Sequence, residues 1–191
     1  MVKRILIFMC LISLNGMAQQ EMYVRSGLIR STLTYSPSFM LNNETTNYYV
    51  TGLLEGYLNK NLSIRSEAHY LVGGKSPNSS PYFDNSIRAS LGIQLHKPIN
   101  NFDSYLGFMP SFSVSQVNQE LDVNGKHPFH FEPSFALKVG VTYYVWKFFN
   151  FFAEATYYNT TILGMDRING RADELMISAG LGFNINSKKA K

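Results

Sequence analysis

The sequence predicts an all-β chain folded as one eight-stranded antiparallel up-and-down transmembrane β-barrel, and three observations carry that expectation. Apolar and polar residues alternate with period two through most of the chain beyond residue 20, and no window shows the period of an amphipathic helix. The alternating segments are each long enough to cross a bilayer at a tilt, which takes about 9–11 residues. The connections between them alternate short and long.

Composition agrees. Only 16% of the 191 residues are charged, while 14 Phe and 12 Tyr stand beside a single Trp. A disordered chain would be poor in aromatics and a disulfide scaffold rich in cysteine, and this chain has one Cys. No run of about 18 apolar residues follows the first twenty, so no spanning helix is expected. The length suits one domain.

Residues 1–18 precede the barrel. Val2-Lys3-Arg4 is basic, 5–14 is an apolar run of ten, and Gly16-Met17-Ala18 places small residues before Gln19, the layout of a secretory signal peptide. Cys10 follows Phe8 and Met9 rather than a small residue, so lipidation is not expected. Cleavage after Ala18 leaves 173 residues with a net charge of +2 and no cysteine. Such a chain is held by packing or by closure of a sheet. The pI near 9.1 owes much to the signal and to Lys188, Lys189 and Lys191. No basic patch interleaved with aromatics points to nucleic acid.

The expected strands are 22–35, 48–58, 62–72, 86–96, 103–116, 134–146, 150–160 and 173–185, within a barrel over 19–186. In the first, Arg25 and Arg30 have opposite parity, which predicts a bulge. The second and third are joined by Asn59-Lys60-Asn61; centred on Lys60, that turn sets Glu55 opposite Arg65. In the fourth, Ile87, Ala89, Leu91, Ile93 and Leu95 oppose Arg88, Ser90, Gly92, Gln94 and His96. The fifth and sixth flank a long connection, and the sixth sets Phe135, Leu137, Val139, Val141, Tyr143 and Val145 against Ala136, Lys138, Gly140, Thr142 and Tyr144. After the seventh, the eighth sets Leu175, Ile177, Ala179, Leu181, Phe183 and Ile185 against Glu174, Met176, Ser178, Gly180, Gly182 and Asn184. Short connections fall at 59–61, 97–102 and 147–149. Long ones fall at 36–47, 73–85, 117–133 and 161–172, where Asn124-Gly125 and Asn169-Gly170 read as type I′ hairpin tips.

A soluble barrel of the lipocalin kind buries its apolar face, whereas a membrane barrel turns that face to lipid and tolerates a polar lumen. Ionised residues near mid-strand on the Gly- and Ser-rich face favour the second. Arg or Lys facing lipid at the midplane costs about 2–4 kcal/mol, so Arg65, Arg88 and Lys138 are expected in the lumen, compensated by Glu55, Glu67 and Glu154 as a structural plug. Glu55→Ala is then expected to weaken the fold by stranding Arg65. Tyr57, Phe102, Tyr105, Trp146, Phe148, Phe149, Phe151 and Phe183 fall near the short turns, and Tyr35, Tyr48, Tyr49, Tyr70, Tyr157 and Tyr158 toward the long loops. They are expected to form two interfacial girdles.

With these features the chain resembles the small outer-membrane β-barrel family, the eight-stranded OmpA-like and OmpX-like proteins of Gram-negative bacteria. The carriers are the signal peptide, the run Glu55-Gly56-Tyr57-Leu58-Asn59-Lys60-Asn61-Leu62-Ser63-Ile64-Arg65-Ser66-Glu67, and the closing strand Ile177-Ser178-Ala179-Gly180-Leu181-Gly182-Phe183. The resemblance implies residence in the bacterial outer membrane, contact with its lipids and lipopolysaccharide, and insertion by the barrel-assembly machinery. It also implies a monomer, with 187–191 as a short basic periplasmic tail. Family members commonly end on an aromatic, whereas Phe183 is followed by eight further residues.

Little points to catalysis. None of His69, His96, His127 and His130 has a Ser two residues later, as a lipid A deacylase of this architecture would, and no helix precedes strand one, as a palmitoyltransferase would require. His127-Pro128-Phe129-His130-Phe131-Glu132, with Glu120 and Asp122, gathers metal-ligand residue types but reads as an ordinary exposed loop. No catalytic, metal or cofactor-binding residue is assigned. The expectation is a non-enzymatic barrel whose long loops serve envelope integrity or meet an unknown surface ligand. The alternatives are a narrow channel for small or apolar solutes and a lipid A-modifying enzyme.

Overall fold

The computed structural model describes residues 23–77, 80–118, 129–163 and 171–187. The expected signal peptide, both Asn-Gly tips, Glu120, Asp122 and His127 lie outside them. Eight strands run β1 (Leu28–Met40), β2 (Thr46–Tyr57), β3 (Leu62–Lys75), β4 (Phe83–Ile99), β5 (Phe102–Val117), β6 (Phe129–Tyr144), β7 (Phe149–Thr160) and β8 (Glu174–Asn186). Each pairs antiparallel with its neighbours, and β8 returns to β1 to close the barrel.

The pleat sorts side chains as the alternation implies. Leu33, Leu91, Leu106, Val139 and Ile185 are 58–74% exposed, whereas Arg65, Arg88 and Glu55 are fully buried. An apolar exterior around a polar interior inverts a soluble protein, and suits a sheet whose outer solvent is hydrocarbon.

Strand one differs from its expectation. Gly27 takes a positive φ of 85° and the strand starts after it, so Arg25 lies outside β1 and its parity carries no message. No register shift interrupts β1 and β2. The irregularities fall instead at Tyr48/Tyr49 and Phe83/Asn85. At its other end β1 continues through Ser36-Pro37-Ser38, which leaves 41–45 as the connection where 36–47 was expected. Pro37 lies in the stretch where pairing between β1 and β8 is interrupted, between Ser31 and Ser38. There Thr32 and Thr34 donate their hydroxyls to the carbonyls of Leu181 and Ala179, each at 2.8 Å. Strands β3, β4 and β5 also run beyond their expected ends, and β6, expected over 134–146, runs from Phe129 to Tyr144, which draws His130 and Glu132 out of the expected loop.

Four aromatics leave the expected girdles. Tyr49, Tyr57, Tyr105 and Tyr158 are 0–3% exposed and point inward, since each shares parity with a luminal residue of its own strand. Tyr35, Tyr70, Phe102, Trp146, Phe148, Phe151 and Phe183 do face outward.

Leu91, 61% exposed near the middle of β4, tests the inversion directly. Leu91→Arg is expected to destabilise the inserted barrel by about 2–4 kcal/mol. Urea unfolding in lipid vesicles, followed by fluorescence of the single Trp146, measures the loss.

Candidate functional site in the barrel lumen

Strand pairing brings the charged residues together in three groups along the lumen. In the middle group, Arg65 Nη2 lies 2.5 Å from Glu67 and 2.7 Å from Glu154, and Lys138 Nζ lies 2.8 Å and 2.7 Å from the same two carboxylates. Tyr105 donates its hydroxyl to Glu154 at 2.7 Å, and its ring lies 5.7 Å from the Arg65 guanidinium and 5.3 Å from that of Arg30. The ring fits because residue 140 is glycine: a Cβ there would lie about 2.5 Å from the phenol carbon.

Nearer the short turns, Arg30 pairs with Glu55 at 2.6 Å and bonds Thr142. Glu55 does lie opposite Arg65 in the β2–β3 register, as the turn predicts, but it also lies opposite Arg30 in β1–β2. Its ion pair is with Arg30. Arg65 is taken by Glu67 on its own strand and by Glu154 across the lumen, so the expected Glu55–Arg65 pair is replaced by two others. His96 sits between Asp103, 2.8 Å from Nδ1, and Glu55, 3.2 Å from Nε2.

Ser63 Oγ lies 2.8 Å from His96 Nε2, which with Asp103 traces a Ser-His-Asp constellation. Its hydroxyl, however, donates to Glu55 at 2.6 Å. An imidazole with carboxylates at both nitrogens is set to donate from both rather than to take a proton from serine. Ser63 and Asp103 are wholly buried and His96 is 5% exposed.

At the long-loop end Arg88 Nη1 donates to Glu174 at 2.8 Å, and Asn47 and Tyr49 donate to the other carboxylate oxygen at 2.7 Å and 3.2 Å. The Arg88 guanidinium lies 4.2 Å from the ring of Tyr158, whose hydroxyl is 2.9 Å from His69. Glu132 accepts from Ser113 and Ser115 at 2.8 Å and 3.0 Å.

Apolar clusters cover both ends. Val24, Leu28, Tyr57 and Tyr144 pack together toward the short turns, with Tyr23 stacked on Tyr144 at 5.9 Å. Met40, Leu71, Tyr82, Phe83, Val117 and Ile162 belong to the cluster toward the long loops.

All six charged residues expected in the lumen are buried there and tied into ion pairs. The same groups hold Arg30, Asp103, Glu132, Glu174, His69 and His96, which the sequence reading did not place in the cluster. Parity was the signal available for Glu174 and His96, which share a face with Ser178 and Arg88. His130, a near neighbour of Glu132 in sequence, places Nδ1 3.3 Å from the Leu163 carbonyl.

A family model described as the outer membrane protein beta-barrel domain matches residues 5–186. No curated protein sequence matches the chain. Among solved structures, the N-terminal β-barrel domain of Pseudomonas aeruginosa OprF is similar at a TM-score of 0.59 and 13% identity, over 84% of this chain and 98% of that one. OprG of the same organism reaches 0.57 at 11% identity, over 87% and 100%. Ail, the attachment invasion locus protein of Yersinia pestis, reaches 0.54 at 11% identity, over 84% and 99%. At these identities the likeness shows the fold.

Removing one partner of a buried ion pair strands the other, so Glu55→Ala is expected to cost about 3–5 kcal/mol. Arg30→Met with Glu55→Leu is expected to cost less than Glu55→Ala alone. A double-mutant cycle by urea unfolding is expected to give larger coupling for Arg30–Glu55 than for Glu55–Arg65.

Proposed function

Because the chain belongs to the outer membrane protein β-barrel domain family and resides in the bacterial outer membrane, we propose that it is a non-enzymatic, non-conducting barrel that acts through the surface at its long-loop end. Its role in this reading is envelope integrity or surface interaction. The observation that carries the proposal is the state of the lumen: paired charges fill the middle and apolar clusters cover both ends. A barrel of eight strands has an interior just wide enough for side chains to fill.

The buried state of Ser63 and the carboxylates on both sides of His96 weigh against a lipid-directed hydrolase or acyltransferase. What remains free to meet another molecule is the outer face, met by lipid and lipopolysaccharide, and the connections at the long-loop end. The partners of this reading are those lipids, the assembly machinery that inserts an exported chain after its signal peptide is removed, and a surface ligand of the loops.

In planar bilayers the purified protein is expected to give no reproducible conductance steps, and discrete steps would establish the channel instead. Incubation with lipopolysaccharide is expected to leave acyl-chain mass unchanged, with a mass shift marking the enzyme. A deletion strain is expected to lose detergent and serum resistance, or adhesion, and which of the two it loses separates an envelope role from a surface ligand.

A further inference from the structure

Charge is balanced differently along the lumen. In the middle, Arg65 and Lys138 meet Glu67 and Glu154. Near the short turns, Arg30 and His96 meet Glu55 and Asp103. At the long-loop end, Arg88 is committed to Glu174, and Glu132 has no ion-pair partner among the described residues. Yet Glu132 is 0% exposed. One carboxylate oxygen accepts from Ser113 and Ser115, while the other, Oε1, has no hydrogen-bond partner among the described residues. The hydroxyl of Tyr82, 3% exposed, also has none. Burial, with Glu132 nearby, pushes the Tyr82 phenol up to about 12.

A buried carboxylate without an ion-pair partner is costly, and the absence of a hydrogen bond at its own Oε1 and at the Tyr82 hydroxyl is a second cost. Both are removed by one small positive ion. We propose that Glu132, Ser113, Ser115 and Tyr82 form a binding site for a small monovalent alkali cation, sodium being the probe. The donor set is oxygen only, which selects a hard cation. One carboxylate among neutral hydroxyls cancels one unit of charge, so a divalent ion would leave an uncompensated charge of its own. Arg88 supplies one positive charge for two carboxylates: its Nη1 donates to Glu174 and its guanidinium lies against the ring of Tyr158, with no ion pair to Glu132, so the group remains one charge short. The ionisable groups around Glu132 are Arg88, Glu174, Tyr49 and Tyr82. None of the other three supplies a further positive charge, so the competitor is a proton on Glu132 itself.

The test is the heat-unfolding midpoint of the whole folded protein in detergent, read by gel mobility, as sodium chloride replaces choline chloride at constant ionic strength. The wild-type midpoint is expected to rise with sodium by mass action. Glu132→Gln is expected to be flat, and to unfold above the wild type at the lowest sodium because the lone charge is gone. Ser113→Ala keeps the carboxylate and loses a ligand, so its rise is expected to need higher sodium. A wild-type midpoint that ignores sodium overturns the proposal, and an infrared carboxylic-acid band absent from Glu132→Gln would then assign a proton. An equal rise in Glu132→Gln also overturns it, and if that variant fails to fold, an unshifted response in Ser113→Ala does so.

Discussion

A charge inside an eight-stranded barrel has lipid beyond the wall and little water within, so it must be matched by another side chain. The meeting of Arg65 and Lys138 with Glu67 and Glu154 is where this constraint is tightest. These four residues come from β3, β6 and β7, whose Cα traces are joined through the sheet by hydrogen bonds that only a fixed register allows. A slip of one residue in any of those strands would turn an ionised group to lipid and an apolar one inward. The network is therefore weak evidence of stability by itself, since desolvation offsets much of its attraction, but it discriminates strongly against a one-residue slip.

The same constraint dictates where bulk is allowed. Tyr105 lies against both Arg30 and Arg65, which it can do only over the bare backbone of Gly140. A Cβ at Gly92 would strike the Phe108 carbonyl as well as Met109, and one at Gly107 would strike the Gln94 amide. Luminal glycines thus answer to named luminal side chains. By contrast, a Cβ at outward-facing Gly56 would meet nothing within 4 Å. The interior is packed to fit, while the exterior is fitted by a fluid solvent that adapts to any apolar outline.

Much of this was legible in sequence because a period of two reports directly on which side of a sheet a residue lies. The mid-strand runs of β4, β6 and β8 show it without ambiguity, and the turn at Lys60 set the β2–β3 register correctly. Alternation fails where a local feature resets it. Gly27 ends the message carried by Arg25, and Ser36-Pro37-Ser38 has turn composition while lying in a strand. Glu132 stands in sequence among other metal-ligand residue types, yet its parity on an extended β6 is what decides its place. Tyr49, Tyr57, Tyr105 and Tyr158 were assigned by depth alone, although parity put each on the luminal side. Which cation pairs with which carboxylate was not legible, because Glu55 faces Arg30 on one side and Arg65 on the other, and contacts across the lumen to Glu154 decide between them.

Closure of the lumen then limits where recognition can occur. A conducting barrel needs polar groups whose partners are water, so that a solute can replace the water in passing. Here the carboxylates of Glu55, Glu67, Glu154 and Glu174 are already held by cations on adjacent strands or across the lumen, and a solute would have to break an ion pair at each group in turn. Toward the long loops it would also have to part the cluster that holds Met40, Phe83 and Ile162. Around that end the wall is uneven in strand length, with β5 and β6 each 16 residues long against the 12 of β2 and β7. Phe129 and Phe131, exposed at the start of β6, extend the apolar outer face along that added length, so contact with lipid continues up the wall while the lumen beside it stays closed by its own side chains.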